Sequence, residues 1–262
     1  MRALWIIAAV LMLQVRGVPG SDAGDQRPFQ YAKGGIIRGP VSARKVALAF
    51  TGHEYAEGAE TILRVLKGHK AKASFFLTGA FLSNTNHDPI IRRIVLEGHY
   101  LGPHSDQHLL YLPWDGSTNL LVSRGEFEAD LEANLRKIVD RGVARKRVRY
   151  FLPPYEHYSS TISEWTRGLG LTLINLTPGT RSNADYTGEA ERNFVPSKTI
   201  HESILAREAA DPQGLNGFLL LLHLGAGPTR TDKFHLHFAS LLDELGRRGY
   251  KFVRVDSLLD SN

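Results

Sequence analysis

Apolar and polar positions along this chain form blocks that predict strands separated by helices. Short, strongly apolar runs are typical of buried strands, and seven occur, at Val46–Phe50, Ala73–Leu77, Tyr100–Gly102, Val148–Leu152, Leu171–Asn175, Phe218–His223 and Lys251–Val255. Between them, apolar residues recur at helical spacing in Glu57–Lys67, Pro89–Glu97, Glu126–Val139 and Asp232–Arg248. Strands that alternate with amphipathic helices predict a parallel sheet covered by helices.

The number of strands predicts the fold class. Seven strands in one α/β domain favour a barrel of seven or eight strand–helix units, distorted or incomplete, over an open sheet. We assign this barrel to residues 45–262 and interpret the polar, glycine-rich residues 24–44 as a linker and lead-in. Residues 1–23 are typical of a secretory signal peptide, with Arg2 followed by an apolar run and small residues. That run is too short for a good membrane span, and an uncleaved anchor is the alternative.

Composition narrows the function classes. The 262 residues include no cysteine, which excludes disulfides, a thiolate metal site and a thiol nucleophile. Export without disulfides favours a bacterial secreted or periplasmic protein. The formal net charge of +5 is too modest to indicate a nucleic-acid partner.

Polar residues follow five of the predicted strands. In a parallel barrel, functional side chains lie at the carboxyl ends of the strands. The residues in question are His53 and Glu54, His104 and His108, Tyr155 and Glu156, Asp185, and His223. His104 and His108 would lie about 13 Å apart in an extended chain. In a helical turn they would share one face and suit a zinc-type ion, whereas the alternative is two ordinary loop histidines.

Several segments, in order, resemble motifs of the polysaccharide deacetylase family, which is also called carbohydrate esterase family 4 and has the NodB-homology fold. The first strand and Lys72–Gly79 are similar to the family's first two strands. Glu97–His108 resembles its histidine motif, Pro153-Pro154-Tyr155 its proline–tyrosine motif, and Leu220–His223 its leucine–histidine motif. The resemblance extends over residues 45–259.

The resemblance implies an enzyme that removes acetyl groups from N-acetylated sugars with a divalent metal. His104 and His108 would then be metal ligands, the backbone N–H of Tyr155 would stabilise the oxyanion, and His223 would protonate the departing amine. The metal would be zinc, with cobalt or nickel as alternatives. The substrate would be an acetylated oligo- or polysaccharide.

The first motif departs from the family pattern. The family has two adjacent aspartates, a general base and a metal ligand, where this chain has Thr51 and Gly52. Leu152 and Glu156 likewise stand where the family has arginine and glycine. We therefore expect His53 or Glu54 to complete the metal site and Glu54 or Glu156 to act as base. Asp185 would orient or replace the base.

Three functions remain open at this stage. The leading hypothesis is a metal-dependent hydrolase that removes N- or O-linked acetyl groups from an extracellular polysaccharide. The alternatives are a carbohydrate-binding pseudoenzyme on the same fold and a hydrolase of another ester or peptide-like amide. Five aromatic residues near the predicted site are candidates either for sugar stacking or for packing: Tyr111, Trp114, Tyr155, Tyr158 and Tyr186.

Overall fold

The computed structural model describes residues 29–260, which form a curled sheet covered by helices. The strands are β1 Gln30–Ala32, β2 Gly35–Arg38, β3 Lys45–Gly52, β4 Ser74–Leu77, β5 Tyr100–Pro103, β6 Tyr150–Phe151, β7 Thr172–Leu173, β8 Phe218–His223 and β9 Lys251–Val253. The helices are α1 Ala59–Gly68, α2 Gly79–Ser83, α3 Asp88–Leu96, α4 Arg124–Asp140, α5 Ser160–Gly168, α6 Ser197–Ala210, α7 Phe238–Arg247 and α8 Val255–Leu259.

The sheet curls into a distorted barrel, as the sequence predicted. Its main sheet has the order β1-β2-β8-β3-β4-β5, with β9 paired to β3, and β6 pairs separately with β7. The Leu152 N–H donates to the Pro103 carbonyl at 3.4 Å, and Ile36 of β2 bridges Ile174 beyond β7. These two links bring β6 and β7 between β5 and β2. The predicted strands pair in parallel, whereas the unpredicted β1 and β2 add two antiparallel pairings, β1 with β2 and β2 with β8.

The two faces of the central strands pack into different cores. Ala47 and Ala49 of β3 and Leu219 and Leu221 of β8 face the barrel interior, which α8 also fills. The intervening residues, among them Phe50, pack outward beneath the helices. Because strand side chains alternate between faces, this parity fixes which residues reach the interior at the end of each strand.

Several elements differ from the sequence-based prediction. Residues 30–38, within the predicted linker and lead-in, form the β1–β2 hairpin, and Gly34 takes the positive φ of +80° that its turn requires. Strands β6 and β7 are two residues each. Helices α2, α5, α6 and α8 were not predicted. The last predicted helix begins with a short 3₁₀ turn at Phe234–Leu236, and α7 follows it.

The predicted signal peptide, residues 1–23, lies outside the described residues. Within the range 29–260, the helices lack the combination of length and apolar character needed to cross a membrane. The proposed domain boundaries remain predictions.

Candidate active site

Strand parity places four polar side chains around the carboxyl-end mouth of the barrel. Thr51 continues the inward line of β3, and His223 that of β8. Thr51 and His223 are direct register partners across the β3–β8 ladder. Thr78 follows β4 and His104 follows β5 with the same parity. Backbone geometry thus brings these four side chains to the rim where the sequence places functional residues, and their functional roles stay predictions.

The loop that carries His104 and His108 is irregular, and the expected helical turn does not form. Ser105 and His108 have positive φ angles of 70° and 56°, which interrupt any helix. The buried carboxylate of Asp130 on α4 shapes this loop instead. It accepts hydrogen bonds from the Ser105 hydroxyl (2.7 Å), the Asp106 N–H (2.9 Å) and the Gln107 N–H (2.8 Å).

Replacing Asp130 by alanine is expected to destabilise the protein by about 3 kcal/mol, because it leaves several buried or half-buried donors unpaired. Chemical denaturation of both proteins measures the difference. Glu132→Ala is the matched control on the same helix, since Glu132 is 55% exposed and its ion pair with Arg136 is long, at 3.9 Å. That control should change stability by less than about 0.5 kcal/mol. Equal stability of Asp130→Ala and the control would contradict this role.

The two histidines of the loop do lie together. Their ring centroids are 5.1 Å apart, and His53 stacks on His108 at 4.5 Å with the rings nearly parallel. The Nδ1 atom of His104 lies 2.7 Å from the Leu152 carbonyl, so the Nδ1–H donates there and the unprotonated Nε2 keeps its lone pair for a ligand. His53 Nδ1 lies 3.1 Å from the Thr78 hydroxyl.

Loss of solvation favours the neutral form of these three imidazoles. It lowers the pKa of His104 well below its ordinary value, and the adjacent His108 lowers it further. Burial likewise lowers the pKa of His108 to about 3, helped by His53 and His223. It also lowers the pKa of His53, against the opposing charge of Glu54. Neutral imidazole is the form that binds metal.

Positions 51 and 52, where the family has its two aspartates, differ in their surroundings. The Thr51 hydroxyl is buried, lines the pocket and has no hydrogen-bond partner among residues 29–260. Gly52 belongs to the outward face of β3. A Cβ atom there would lie 2.9 Å from Leu77 Cδ2 and 3.0 Å from the Phe81 ring. Apolar side chains therefore occupy the direction that an acidic ligand at position 52 would take.

The donor chemistry suits a divalent ion only in part. His104 and His108 are neutral, close together and, for His104, fixed in tautomer. However, in the described part of the chain no group of three His, Asp or Glu side chains is arranged to hold one ion. His53 lies parallel to His108 in a stack, so their nitrogen lone pairs do not converge. Glu54 lines the same pocket and is exposed.

His223 lines the same pocket and is paired with a buried carboxylate. Its Nδ1 lies 2.6 Å from Asp185 Oδ1, and its backbone N–H donates to Asp185 Oδ2 at 2.9 Å. Burial alone would lower the pKa of His223, but the charge of Asp185 and its hydrogen bond outweigh that effect and raise the pKa. Asp185 therefore favours the protonated form of His223 and orients the ring through Nδ1, which leaves Nε2 for the pocket.

A buried arginine holds the segment that carries Asp185. Arg230 is fully buried, and its guanidinium donates to the carbonyls of Ala184 (3.3 Å), Thr187 (3.1 Å) and Val195 (2.9 Å). Carbonyl groups on both sides of Asp185 are thus fixed by one side chain. The segment is anchored to the loop after β8, which keeps Asp185 against His223.

Tyr155 and Glu156 form a strained turn at the mouth. Both have positive φ angles, 58° and 54°, which non-glycine residues rarely adopt and which often mark functional sites. The Glu156 and His157 N–H groups donate to the carbonyls of Pro153 and Pro154, both at 3.2 Å. The Tyr155 N–H is therefore the candidate oxyanion donor of this turn.

Glu156 is the second acidic group beside His223. Burial raises the pKa of its carboxyl, and the nearby His223 together with the Asn183 amide (3.2 Å) offsets part of that rise. A carboxylate with a raised pKa is a stronger base near neutral pH. Environments that shift the pKa values of two neighbouring groups are typical of acid–base sites.

Seven of the eight predicted site residues line one cavity of about 360 Å³, and Asp185 is the exception. Asp185 lies behind His223 and contacts it directly. The structure also separates the five aromatic candidates. Tyr111 and Tyr158 are buried packing residues, whereas Trp114, Tyr155 and Tyr186 are exposed and line the cavity.

Sequence reasoning missed the residues that support the site. Asp130 and Asn134 occupy the buried face of α4, and Asn134 joins the His104 N–H (3.0 Å) to the Leu77 carbonyl (3.1 Å). Two polar residues four apart on an otherwise apolar stripe were a signal that could have identified them. Arg230 offered no such pattern.

Comparison with known proteins agrees with this architecture. A sequence profile of the family described as polysaccharide deacetylase matches residues 38–174, more than half of the chain. A peptidoglycan-N-acetylglucosamine deacetylase from Bacillus cereus is 25% identical over 246 residues, which is 92% of this chain and 78% of that protein.

Solved structures share the fold. A carbohydrate esterase family 4 pseudoenzyme from Bacillus anthracis superimposes with a TM-score of 0.66 at 19% identity, covering 88% of this chain and 70% of that one. A mutant of that pseudoenzyme, with restored enzymatic activity, gives a TM-score of 0.67. The family 4 carbohydrate esterase PdaA from Bacillus subtilis gives 0.66 at 20% identity, covering 86% and 85%.

Proposed function

This chain belongs to the polysaccharide deacetylase family, and we propose that its pocket hydrolyses acetyl groups on an acetylated polysaccharide. One observation carries the proposal: a buried Asp185–His223 pair and a half-buried Glu156 share one cavity with two neutral histidines. Burying an ion pair and a carboxylate costs stability. Simple sugar binding does not require that cost, whereas acid–base chemistry does.

His223 is the general acid of this proposal. In its protonated form, the Nε2–H is available to the leaving sugar nitrogen or oxygen, which must receive a proton as the acetyl bond breaks. Asp185 holds the ring in the tautomer that leaves Nε2 facing the cavity, and its charge favours the imidazolium. The rate should fall as pH rises through the raised pKa of His223.

Glu156 is the general base. Its carboxylate accepts a proton from the attacking water, and its raised pKa makes it a better proton acceptor near neutral pH. Glu54, on the loop after β3, is the alternative base. The Tyr155 N–H donates to the oxyanion that forms at the acetyl carbonyl.

A divalent ion would be held by His104 and His108, with His53 or Glu54 as the third ligand and zinc before cobalt or nickel. When bound, such an ion polarises the acetyl carbonyl and lowers the pKa of a coordinated water. The hydrogen bond from His104 Nδ1–H to the Leu152 carbonyl supports this assignment, because it leaves Nε2 unprotonated and available to the ion. The stacked His53 must leave His108 to join the set.

Metal loading tests this assignment directly. Protein incubated with zinc and desalted should retain about one equivalent by elemental analysis. Loss of an outer hydrogen bond to a metal ligand lowers metal affinity by about 10–100-fold. His104→Ala removes a ligand itself and should lower zinc affinity by at least that factor. His69→Ala is the control, since His69 bonds Asp243 on the surface (2.9 Å) away from the pocket. No stoichiometric zinc in wild type, together with unchanged acetate release by His104→Ala, would refute the metal proposal.

A second candidate is a carbohydrate-binding pseudoenzyme. The replacement of the acidic pair by Thr51 and Gly52 favours it, as does the fold shared with a described pseudoenzyme. The two candidates differ in one readout, acetate release from acetylated oligosaccharides with and without added metal. A third candidate, cleavage of another ester or amide, would use the same residues.

The relatives support the substrate class of this proposal. The Bacillus cereus relative is a peptidoglycan-N-acetylglucosamine deacetylase, and such polymers lie outside the cytoplasm. Together with the predicted signal peptide, this supports action on a secreted or periplasmic glycan. The position of the acetyl group, on nitrogen or oxygen, is a property for the assay to determine.

A further inference from the structure

A second large cavity lies at the opposite end of the barrel from the candidate active site. Its volume is about 930 Å³. Its wall includes Gly98 and His99, directly before β5, and Lys146, Arg147 and Arg149, shortly before β6. The amino ends of parallel strands share one edge of a sheet. This cavity is therefore separated from the carboxyl-end mouth by the length of the strands.

The charge of this cavity is mainly positive. Its lining includes four cationic side chains and one carboxylate, namely Lys146, Arg147, Arg149, Arg254 and Asp256. Arg254 donates to both oxygens of Asp256, at 2.9 and 2.7 Å, and Arg149 pairs with Asp260. These ion pairs offset two of the four cations, so the positive charge of the cavity comes from the other two.

Those two cations, Lys146 and Arg147, have no partner in the fold. Their neighbour Arg145 does, because its guanidinium donates to the carbonyls of Val148 (2.9 Å) and Leu169 (3.0 Å). Lys146 and Arg147 are exposed, and neither forms an ion pair or a side-chain hydrogen bond with residues 29–260. Like charges side by side repel one another, and an external anion would relieve that repulsion.

A buried imidazole adds a neutral donor to the same cavity. The His99 side chain is 1% exposed and belongs to the cavity wall. Its Nδ1 accepts from the Ala73 N–H at 3.1 Å, so Nε2 carries the ring proton. Burial, with a contribution from the charge of Lys72, lowers the pKa of His99 to about 4 and keeps the ring neutral. Glu97 Oε2 lies 3.9 Å from Nε2, too far for a hydrogen bond. This donor is thus without an acceptor among residues 29–260.

Two further features of this end favour a lipid surface as the source of the anion. Leu96, the last residue of α3, is 77% exposed and lies two residues before Gly98 of the cavity wall. The chain also enters the described fold at this end, because Gln30 of β1 pairs with Arg38, which pairs with Phe218 at the start of β8. Exposed apolar side chains beside cations are typical of proteins that bind anionic membranes peripherally.

We propose that this cavity binds the phosphate of an anionic lipid headgroup and docks the protein on a membrane surface. Lys146 and Arg147 attract the phosphodiester, the His99 Nε2–H donates to one of its oxygens, and Leu96 enters the headgroup region. Docking at this end directs the candidate active site away from the membrane, toward polymers outside it. The inference is independent of hydrolysis, since a pseudoenzyme would dock in the same way.

Vesicle sedimentation with the full chain tests the docking. The probes are vesicles of phosphatidylcholine alone and vesicles that also contain about 30% phosphatidylglycerol. Wild type should bind the anionic vesicles more tightly than the neutral ones, and added salt should weaken that binding. The double variant Lys146→Ala/Arg147→Ala should bind the anionic vesicles about 30-fold more weakly, because each cation at such a surface contributes about fivefold.

The double variant Arg192→Ala/Lys198→Ala is the matched control. It removes the same charge from exposed positions that do not line this cavity, and it should bind as wild type does. Every protein compared has the same N-terminal segment, so a difference between the two double variants cannot come from that segment. Equal vesicle binding by the two variants, or no preference of wild type for anionic vesicles, would overturn the proposal.

Calorimetry with inorganic phosphate and glycerol phosphate distinguishes a lipid from a soluble source. Weak binding of these small probes that is lost in Lys146→Ala/Arg147→Ala, together with vesicle binding, would support the headgroup site. Phosphate binding without any vesicle binding would overturn membrane docking and identify a soluble phosphate as the ligand. Leu96→Ser should weaken vesicle binding and leave phosphate binding unchanged, since the leucine contacts the lipid rather than the anion.

Discussion

Replacing His223 by alanine is expected to lower the turnover number for acetate release by about 1,000-fold, the scale of a lost general acid. The Michaelis constant should change little, because His223 acts on the leaving group rather than on ground-state binding. Steady-state acetate release by wild type and variant measures both quantities. A His223→Ala protein that keeps full turnover would exclude His223 as the acid.

Asp185→Asn separates orientation from acidity at the same position. The amide keeps the approximate shape but removes the charge that raises the pKa of His223. The protonated imidazole is the active form, so activity is present below its pKa and is lost as pH rises through it. Asp185→Asn should therefore shift the alkaline limb of the pH–rate profile to lower pH. An unshifted alkaline limb would contradict the pairing.

Glu156→Gln is expected to lower turnover by about 100- to 1,000-fold, because the amide cannot accept the proton of the attacking water. The base works when deprotonated, so wild-type activity should fall as pH drops through the raised pKa of Glu156. The variant should lose this acidic limb. If Glu156→Gln stays active and Glu54→Gln does not, the base is Glu54.

Stability distinguishes this loss of rate from unfolding. The pKa of Glu156 is raised in the folded state. A carboxyl of this kind stabilises the fold at low pH, and that contribution is lost as pH rises from the unfolded pKa through the folded one. At neutral pH, Glu156→Gln should therefore melt at the same or a higher temperature than wild type. A strongly destabilised variant would leave Glu156 with a structural role.

The sequence predicted the barrel because its strands are apolar on both faces. β8 matches the predicted Phe218–His223, and β3, β4 and β5 differ from prediction only at their ends. Strong periodicity also located α1, α3 and α4. By contrast, α6 buries few apolar residues, chiefly Ile200 and Ile204, so no helical stripe marks it in the sequence.

The sequence groups the candidate site residues at one rim, but it does not predict the geometry of the loops that carry them. His104, His223 and Glu156 each follow a predicted strand, and in the structure all three line one cavity. The histidine loop, however, is shaped by Asp130 from a distant helix, which local spacing cannot reveal. Similarly, Gly52 is closed off by Leu77 and Phe81, a contact between separate elements.

The most direct test is acetate release by the purified wild-type protein from a panel of acetylated glycans, with and without zinc, cobalt or nickel. We expect release from at least one polymeric substrate, abolished or strongly reduced in Glu156→Gln and His223→Ala. Absence of acetate from every glycan with every metal, while oligosaccharides still bind, would contradict hydrolysis and identify a glycan-binding protein.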